Sequence, residues 1–366
     1  MSKKIKVGLI FGGKSAEHEV SLQSAKNIVE AINKEKYEVT LIGIDKQGKW
    51  HLNEQSNYLL HEEDPKLISL NKSNKHVGLV PGEEHHQIIN LDGELDLDQL
   101  DVIFPILHGT LGEDGSIQGM LRLANLPYVG TNVLGSAVCM DKDIAKRLLR
   151  DVGIHVAKSI TVRKHDQQNI SFEKVKSTLG LPVFIKPANQ GSSVGVSRVN
   201  TEEEFKKGLQ EAFQFDHKLL IEENIVGREI ECSVLGNEYP KASLPGEILP
   251  QGDHFYSYET KYIDESGAKL EIPANLSDKE VELIQSTSVQ AFKALECEGL
   301  SRVDFFLKED GTLVLNEINT LPGFTKISMY PKLWEVTGIS YPDLIDQLIE
   351  LAIDRHKRDA NLKSSI

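Results

Sequence analysis

Hydrophobic positions recur along this chain with two different periods. Residues 5 to 11 form an apolar strand, interrupted by Lys6, that ends at Gly12-Gly13. Apolar residues then return at helical spacing at Leu22, Ala25, Ile28, Val29 and Ile32, with Ser15 or Ser21 available as a cap. A second apolar run covers Val39 to Ile44. This β-turn-α-β opening predicts a parallel, doubly wound sheet, whose ligands collect at the carboxyl ends of its strands. Residues 46 to 98 lose the pattern, are polar and irregular, and predict surface decoration. Asp101 to Leu107 reads as a further strand. It runs through the turn His108-Gly109-Thr110-Leu111-Gly112-Glu113-Asp114-Gly115 into a helix over Gln118 to Ala124. A His at a strand's carboxyl end is placed for function, although a His satisfied within the turn fits as well.

A helix opens at Asp141-Lys142-Asp143 and runs through Arg150, which places a domain boundary near 140. Pro182 to Pro187 is a strand with one lysine, Lys186, followed by the small-residue loop Gln190 to Val196. Backbone amides in such a loop can form a nest for phosphate oxygens, with the lysine adding a point charge; many hairpins carry similar loops. A helix is expected over Thr201 to Phe213, a strand over Leu219 to Glu223, and another from Gly227. Residues 245 to 271 lack periodicity and hold Tyr256, Tyr258, Lys261 and Tyr262. A segment of that kind is a linker or, by preference here, a lid. Helical spacing returns over Ser277 to Leu295 and Tyr341 to Arg358.

One stretch carries the chemistry. Arg302-Val303-Asp304-Phe305-Phe306-Leu307 and Thr312 to Asn319 flank the turn Lys308-Glu309-Asp310-Gly311, which reads as a β-hairpin. With those four residues as the loop, Asp304 faces Leu315. Period-two alternation then puts Leu315, Glu317 and Asn319 on the face of Asp304. Burying two unpaired carboxylates costs several kcal/mol, so a cation belongs between them. Hard oxygen donors with no His or Cys nearby suit Mg²⁺ completed by water and substrate phosphate. A solvent-facing polar edge is the competing reading, against which the neighbouring Arg302 and Leu321-Pro322-Gly323 weigh, since phosphoryl transfer also needs a fixed cation.

Composition narrows the function classes. A chain of 366 residues has room for two or three domains. Its net charge of −14 and pI near 5.4 leave no basic field for nucleic acid or an anionic membrane surface. Cys139, Cys232 and Cys297 are odd in number and far apart, which fits reduced thiols and a cytoplasmic protein. No run approaches the roughly 18 apolar residues of a membrane span. Gly8-Leu9-Ile10-Phe11-Gly12-Gly13-Lys14-Ser15 matches G-x-x-x-x-G-K-[ST] in form only: Leu9, Ile10 and Phe11 read as buried strand where a phosphate loop needs open turn. The following Glu17-His18-Glu19 suits a substrate ammonium better than a triphosphate.

These motifs in this order make nearly the whole chain similar to the ATP-grasp superfamily, and within it to the D-alanine–D-alanine ligases. They are Gly12 to Ser21, His108 to Gly115, Met140-Asp141-Lys142, Lys186-Pro187 with Gly191 to Gly195, Tyr258 to Tyr262, and Arg302-Val303-Asp304 with Asn316 to Thr320. The resemblance implies an α/β protein: a doubly wound pre-ATP-grasp domain over 1–140, then ATP-grasp subdomains over 141–222 and 223–366, the last with the metal site and lid. It implies that ATP converts one D-alanine to an acyl phosphate, which the amine of a second D-alanine attacks to give the dipeptide of peptidoglycan precursors. It also implies two Mg²⁺ (or Mn²⁺) ions on Asp304, Glu317 and Asn319, and a homodimer. Carried over by position, Lys142, Lys186, Ser193 and Lys261 meet phosphates; Glu222, Glu223, Ile225 and Glu229 meet adenine and ribose. Glu17 and His108 meet the first D-alanine, Arg302 and Gly323 the oxyanion, and Ser328 the second carboxylate. Glu17, Ser192 and Tyr262 form a hydrogen-bonded triad, and tyrosine at 262 implies D-alanine in preference to D-lactate as second substrate. Leu321 stands where serine is frequent. Competing readings are another ATP-grasp carboxylate–amine ligase, including a D-Ala–D-lactate ligase, and a regulatory ATP-binding protein without catalysis.

Overall fold

The computed structural model describes residues 3–83, 85–93, 99–250 and 268–363. Residues 251–267, which include Lys261 and Tyr262 of the segment expected to be a lid, lie outside that set.

The apolar opening run forms the strand Ile5–Gly12, central in a four-stranded sheet ordered Trp50–Asn53, Tyr37–Ile44, Ile5–Gly12, Val102–Ile106. Ile5–Gly12 runs parallel to both of its neighbours, as the β-turn-α-β pattern predicts. Leu9, Ile10 and Phe11 are fully buried within it, so the Gly8–Ser15 match is strand and not a phosphate loop. The helix that follows is His18–Ala31, and neither expected serine caps it. Ser21 instead accepts from the Gly12 amide at 2.7 Å and donates to the Ile106 carbonyl, tying strand to strand. The stretch expected to be irregular, 46–98, holds short strand pairs, among them Leu59–Leu60 with Ser69–Leu70 and Val77–Leu79 with Ile88–Asn90. Runs of two or three residues are too brief for alternation to be read from sequence.

A helix missed by pattern, Val133–Met140, leads to Lys142–Asp151, whose N-cap is the Asp141 side chain accepting from the Ile144 amide at 3.1 Å. Two antiparallel sheets follow. The first is ordered Ser197–Val199, Val183–Pro187, Lys218–Glu223, Ser159–Arg163. The second is ordered Ala268–Glu271, Gly246–Pro250, Arg228–Gly236, Gly299–Leu307, Leu313–Asn319, with Lys241–Ala242 on its Arg228–Gly236 strand. The segment 245–271 is thus not irregular at its ends, where Gly246–Pro250 and Ala268–Glu271 pair as strands. Capping boxes at Thr201 and Ser277 start the helices Glu202–Ala212 and Asp278–Ala294.

The chain's last helices close back on its beginning. Trp334, Tyr330 and Leu344 from Met329–Val336 and Tyr341–Ala360 share one core with Leu9, Phe11 and Phe104 of the first sheet. Arg355, buried in the final helix, donates to the carbonyls of Gly130 and Tyr128 and stacks 4.4 Å over the Tyr128 ring. The final helices and the first sheet therefore share one packed core.

Candidate active site

Between the two antiparallel sheets lies a cleft enclosing about 1040 Å³, its mouth included. Lys186 and Glu222 reach it from the first sheet, Glu229, Phe306 and Glu317 from the second, and Lys142 from a helix start. The glycine loop forms one wall with Ser192 and Ser193, both at positive φ (48° and 60°). Glu223, Asn224 and Ile225 line the opposite end. The nucleotide residues expected from sequence, apart from Lys261, are thus brought together.

Glu222 is 2% exposed and lies between two lysines, with Lys186 Nζ 2.7 Å from Oε2 and Lys146 Nζ 3.1 Å from Oε1. Burial alone raises its carboxyl, but the two ammonium groups outweigh it and hold the pKa down to about 2. With Lys146 within hydrogen-bonding distance of Oε1, that oxygen keeps a second lone pair. Here is a buried, ionised acceptor in the wall of a cleft.

At the other end of the cleft the hairpin departs from the expected register. Leu307 pairs with Leu313, so the loop is one residue longer, and a bulge after Asp304 leaves Asn316 without a cross-strand partner. Asp304 then stands directly opposite Glu317, and Arg302 opposite Asn319. Leu315 is not on their face: it pairs with Phe305, and both are buried in the C-terminal core. The predicted carboxylate–carboxylate–amide cluster exists through the bulge. Arg302 grips Asp304 with two bonds of 2.7 Å and lies 2.9 Å from Glu231, while Asn319 donates to Asp304 Oδ2 at 3.0 Å. Lys142 Nζ lies 3.9 Å from Glu317 and bonds the Gln190 carbonyl at 2.6 Å, joining hairpin to glycine loop. Asp304, Glu317 and Asn319 are all oxygen donors. Two carboxylates and an amide match an ion that takes its remaining ligands from phosphate and water.

Glu17 is 6% exposed at the junction of the first domain and the glycine loop. Ser192 donates to its Oε1. A methyl group on Gly109 would stand 2.5 Å from Glu17 Oε2, and one on Gly191 2.9 Å, so only glycine lets the backbone close on this carboxylate from both sides. His108 donates from Nδ1 to the Leu321 carbonyl at 2.9 Å, and Ser24 Oγ lies 3.1 Å from its Nε2. Ser24 in turn accepts from the Phe324 amide at 3.2 Å. Burial, with help from Arg302, lowers the His108 pKa to about 4 despite the Leu321 bond, so the ring is neutral at neutral pH. The depressed folded value has a consequence for stability. The unfolded chain binds the proton first, so acidification from about pH 6.5 to 4 should cost up to about 3 kcal/mol. His108→Gln should lose less over that interval by denaturant titration; identical pH slopes would contradict the assignment.

Gly323 is buried and Ser328 half-buried in the segment joining the hairpin to Met329–Val336, outside the walls of the nucleotide cleft. The Ser328 hydroxyl accepts from the Thr325 amide at 3.0 Å. Sequence reasoning missed Glu113. Its carboxylate accepts from the Gly109 amide at 2.7 Å and the Leu321 amide at 3.1 Å, binding the His108 turn to the end of the hairpin. Burial and then the charge of Glu17 push its pKa up to about 8. An acid inside a glycine-rich turn at a strand's carboxyl end was the available signal.

A doubly wound domain followed by two antiparallel sheets with a cleft between them, lined by Lys142, Lys186, Glu222 and Glu317, defines the ATP-grasp class. The model for the D-ala D-ala ligase N-terminus matches residues 6–131, and that for the D-ala D-ala ligase C-terminus matches 148–350. The D-alanine–D-alanine ligase of Oceanobacillus iheyensis is 67% identical over 362 residues, 99% of each chain. D-alanine–D-alanine ligase A of Escherichia coli K12 is 57% identical over 364 residues, the whole of both chains. Among solved structures, the Coxiella burnetii D-alanine-D-alanine ligase superposes with TM-score 0.84 at 40% identity, covering 98% of this chain and 97% of that one. VanG D-Ala:D-Ser ligase from Enterococcus faecalis superposes with TM-score 0.83 at 36% identity, covering 96% and 100%. The chain belongs to the D-alanine–D-alanine ligase family.

Proposed function

We propose that this protein joins two D-alanines at the expense of ATP, through a D-alanyl phosphate, to supply D-alanyl-D-alanine for peptidoglycan precursors. The observation that carries the reading is the cleft with the buried, ionised acceptor Glu222 on one sheet and, on the other, Glu317 in its wall with Asp304 directly across the hairpin and Asn319 bonded to Asp304. An adenine amino group fits the first and a triphosphate tail the second. Glu223, Ile225 and Glu229 complete the nucleoside end; Lys142, Lys186 and Ser193, joined by Lys261 of the lid, hold the phosphates. Asp304, Glu317 and Asn319 would hold two Mg²⁺ or Mn²⁺ ions, which when bound neutralise charge on the transferring phosphoryl group.

Glu17 takes the ammonium of the first D-alanine, with neutral His108 beside it. The substrate carboxylate oxygen attacks the γ-phosphorus, and ADP leaves. Activation is needed because a carboxylate repels an amine and has no leaving group. The second D-alanine, its carboxylate at Ser328, attacks the acyl carbon through its amine. Arg302 and the Gly323 amide stabilise the oxyanion that forms. The carbon–oxygen bond to phosphate then breaks, and the nitrogen loses its proton. Tyr262, with Glu17 and Ser192, selects D-alanine over D-lactate as nucleophile. We place the enzyme in the cytoplasm as a homodimer; among the described residues no helix is long and apolar enough to cross a membrane.

The test is phosphate release with ATP, Mg²⁺ and a panel of D-alanine, D-serine, D-lactate and L-amino acids, with products weighed by mass spectrometry. D-alanyl-D-alanine should dominate at neutral pH. Another product as the main one would remove the substrate assignment while leaving the nucleotide site standing.

A further inference from the structure

Lys146 is a fully buried lysine with no place in the roles assigned above: its side chain is 2% exposed, one turn beyond Lys142 on the same helix. Its Nζ lies 3.1 Å from Glu222 Oε1 on the first sheet and donates at 3.3 Å to the carbonyl of Asn316, the bulged residue next to Glu317, on the second. It is within hydrogen-bonding distance of both, and its charge helps to keep Glu222 ionised. Oε1 has a second lone pair for a ligand. Lys186 holds the other oxygen, Oε2, at 2.7 Å and itself lines the cleft. A buried ammonium is costly unless its partners need it where it is. A structural counter-ion alone would not need to join strands of the two sheets that wall one cleft.

We infer that Lys146 is a positioning residue that sets purine recognition by orienting Glu222 as a charged acceptor, and fixes the spacing from that acceptor to the metal-binding hairpin through Asn316. The inference rests on the reading of Glu222 as the adenine acceptor. It assigns Lys146 no contact with ATP itself.

Lys146→Met matches the stem in length and removes the charge. It should raise the KM for ATP by about tenfold, the scale of one lost charge-assisted contact. The KM for D-alanine should be unchanged and the preference for ATP over GTP reduced. Glu222→Gln should reduce the same preference, and the double variant should lose less than the product of the single effects. Lys146→Gln, which keeps a donor toward Asn316 but no charge, serves if the methionine variant does not fold. It should lose purine preference with a smaller drop in kcat. A structural role alone would lower the melting temperature and kcat with purine preference intact, and that result overturns the inference. If Glu222→Gln itself leaves purine preference intact, the adenine reading fails first and takes the role of Lys146 with it.

Discussion

Glu317→Ala should lower turnover by at least about 10³-fold while leaving the melting temperature close to that of the parent chain, the upper scale for losing one preorganised electrostatic contact. Glu317 is part-exposed in the wall of the cleft, and its ion pair to Lys142 is long at 3.9 Å. Its removal therefore disturbs little packing. Under the proposed metal assignment, what is lost is one of two carboxylate ligands, the other being Asp304, so neither ion would keep a full complement of hard donors. Excess Mn²⁺, which binds oxygen sites more tightly than Mg²⁺, should restore part of the rate. A variant as active as the parent would remove the metal assignment altogether.

Arg302→Lys is expected to separate chemistry from folding. Arginine offers a planar fork, and here it spans both oxygens of Asp304 while also lying 2.9 Å from Glu231. Lysine keeps the charge, so neither carboxylate is left buried alone. It cannot keep the geometry from which an oxyanion would be met, and kcat should fall by about 10²-fold, the lower scale for an oxyanion donor. Arg302→Met removes the charge as well. It leaves Asp304 and Glu231 without their cation and should cost about 3–5 kcal/mol in unfolding free energy, the penalty for breaking a buried pair. Equal stability in the two variants would show that the guanidinium contributes nothing as a counter-ion.

Much of the architecture was legible because it rests on long periodic runs. The strand Ile5–Gly12 and the helices Glu202–Ala212, Asp278–Ala294 and Tyr341–Ala360 each bury one continuous face or lie wholly inside. The strand pairs between residues 50 and 90 were illegible, since two or three residues carry no phase. Val133–Met140 was lost for a different reason: it is apolar nearly all round, and periodicity cannot mark a helix with no polar face. In the site, single residues were readable where chemistry demands a type, as at Lys186, Asp304 and Glu317. Residues acting through backbone bonds were not. Glu113 and Lys146 work by holding amides and a carbonyl, partners that have no letter in the sequence.

The hairpin's bulge has one last consequence. On the turn side of Asn316 the odd-numbered Leu313 and Leu315 point into the core; beyond it the even-numbered Ile318 does, and the odd-numbered Glu317 and Asn319 stand opposite Asp304 and Arg302. A lone extra residue thus flips the strand's parity midway. Deleting that one codon would restore plain alternation, with Leu315 and Ile318 still inward and Glu317 still opposite Asp304, and would remove the Asn316 carbonyl that Lys146 holds.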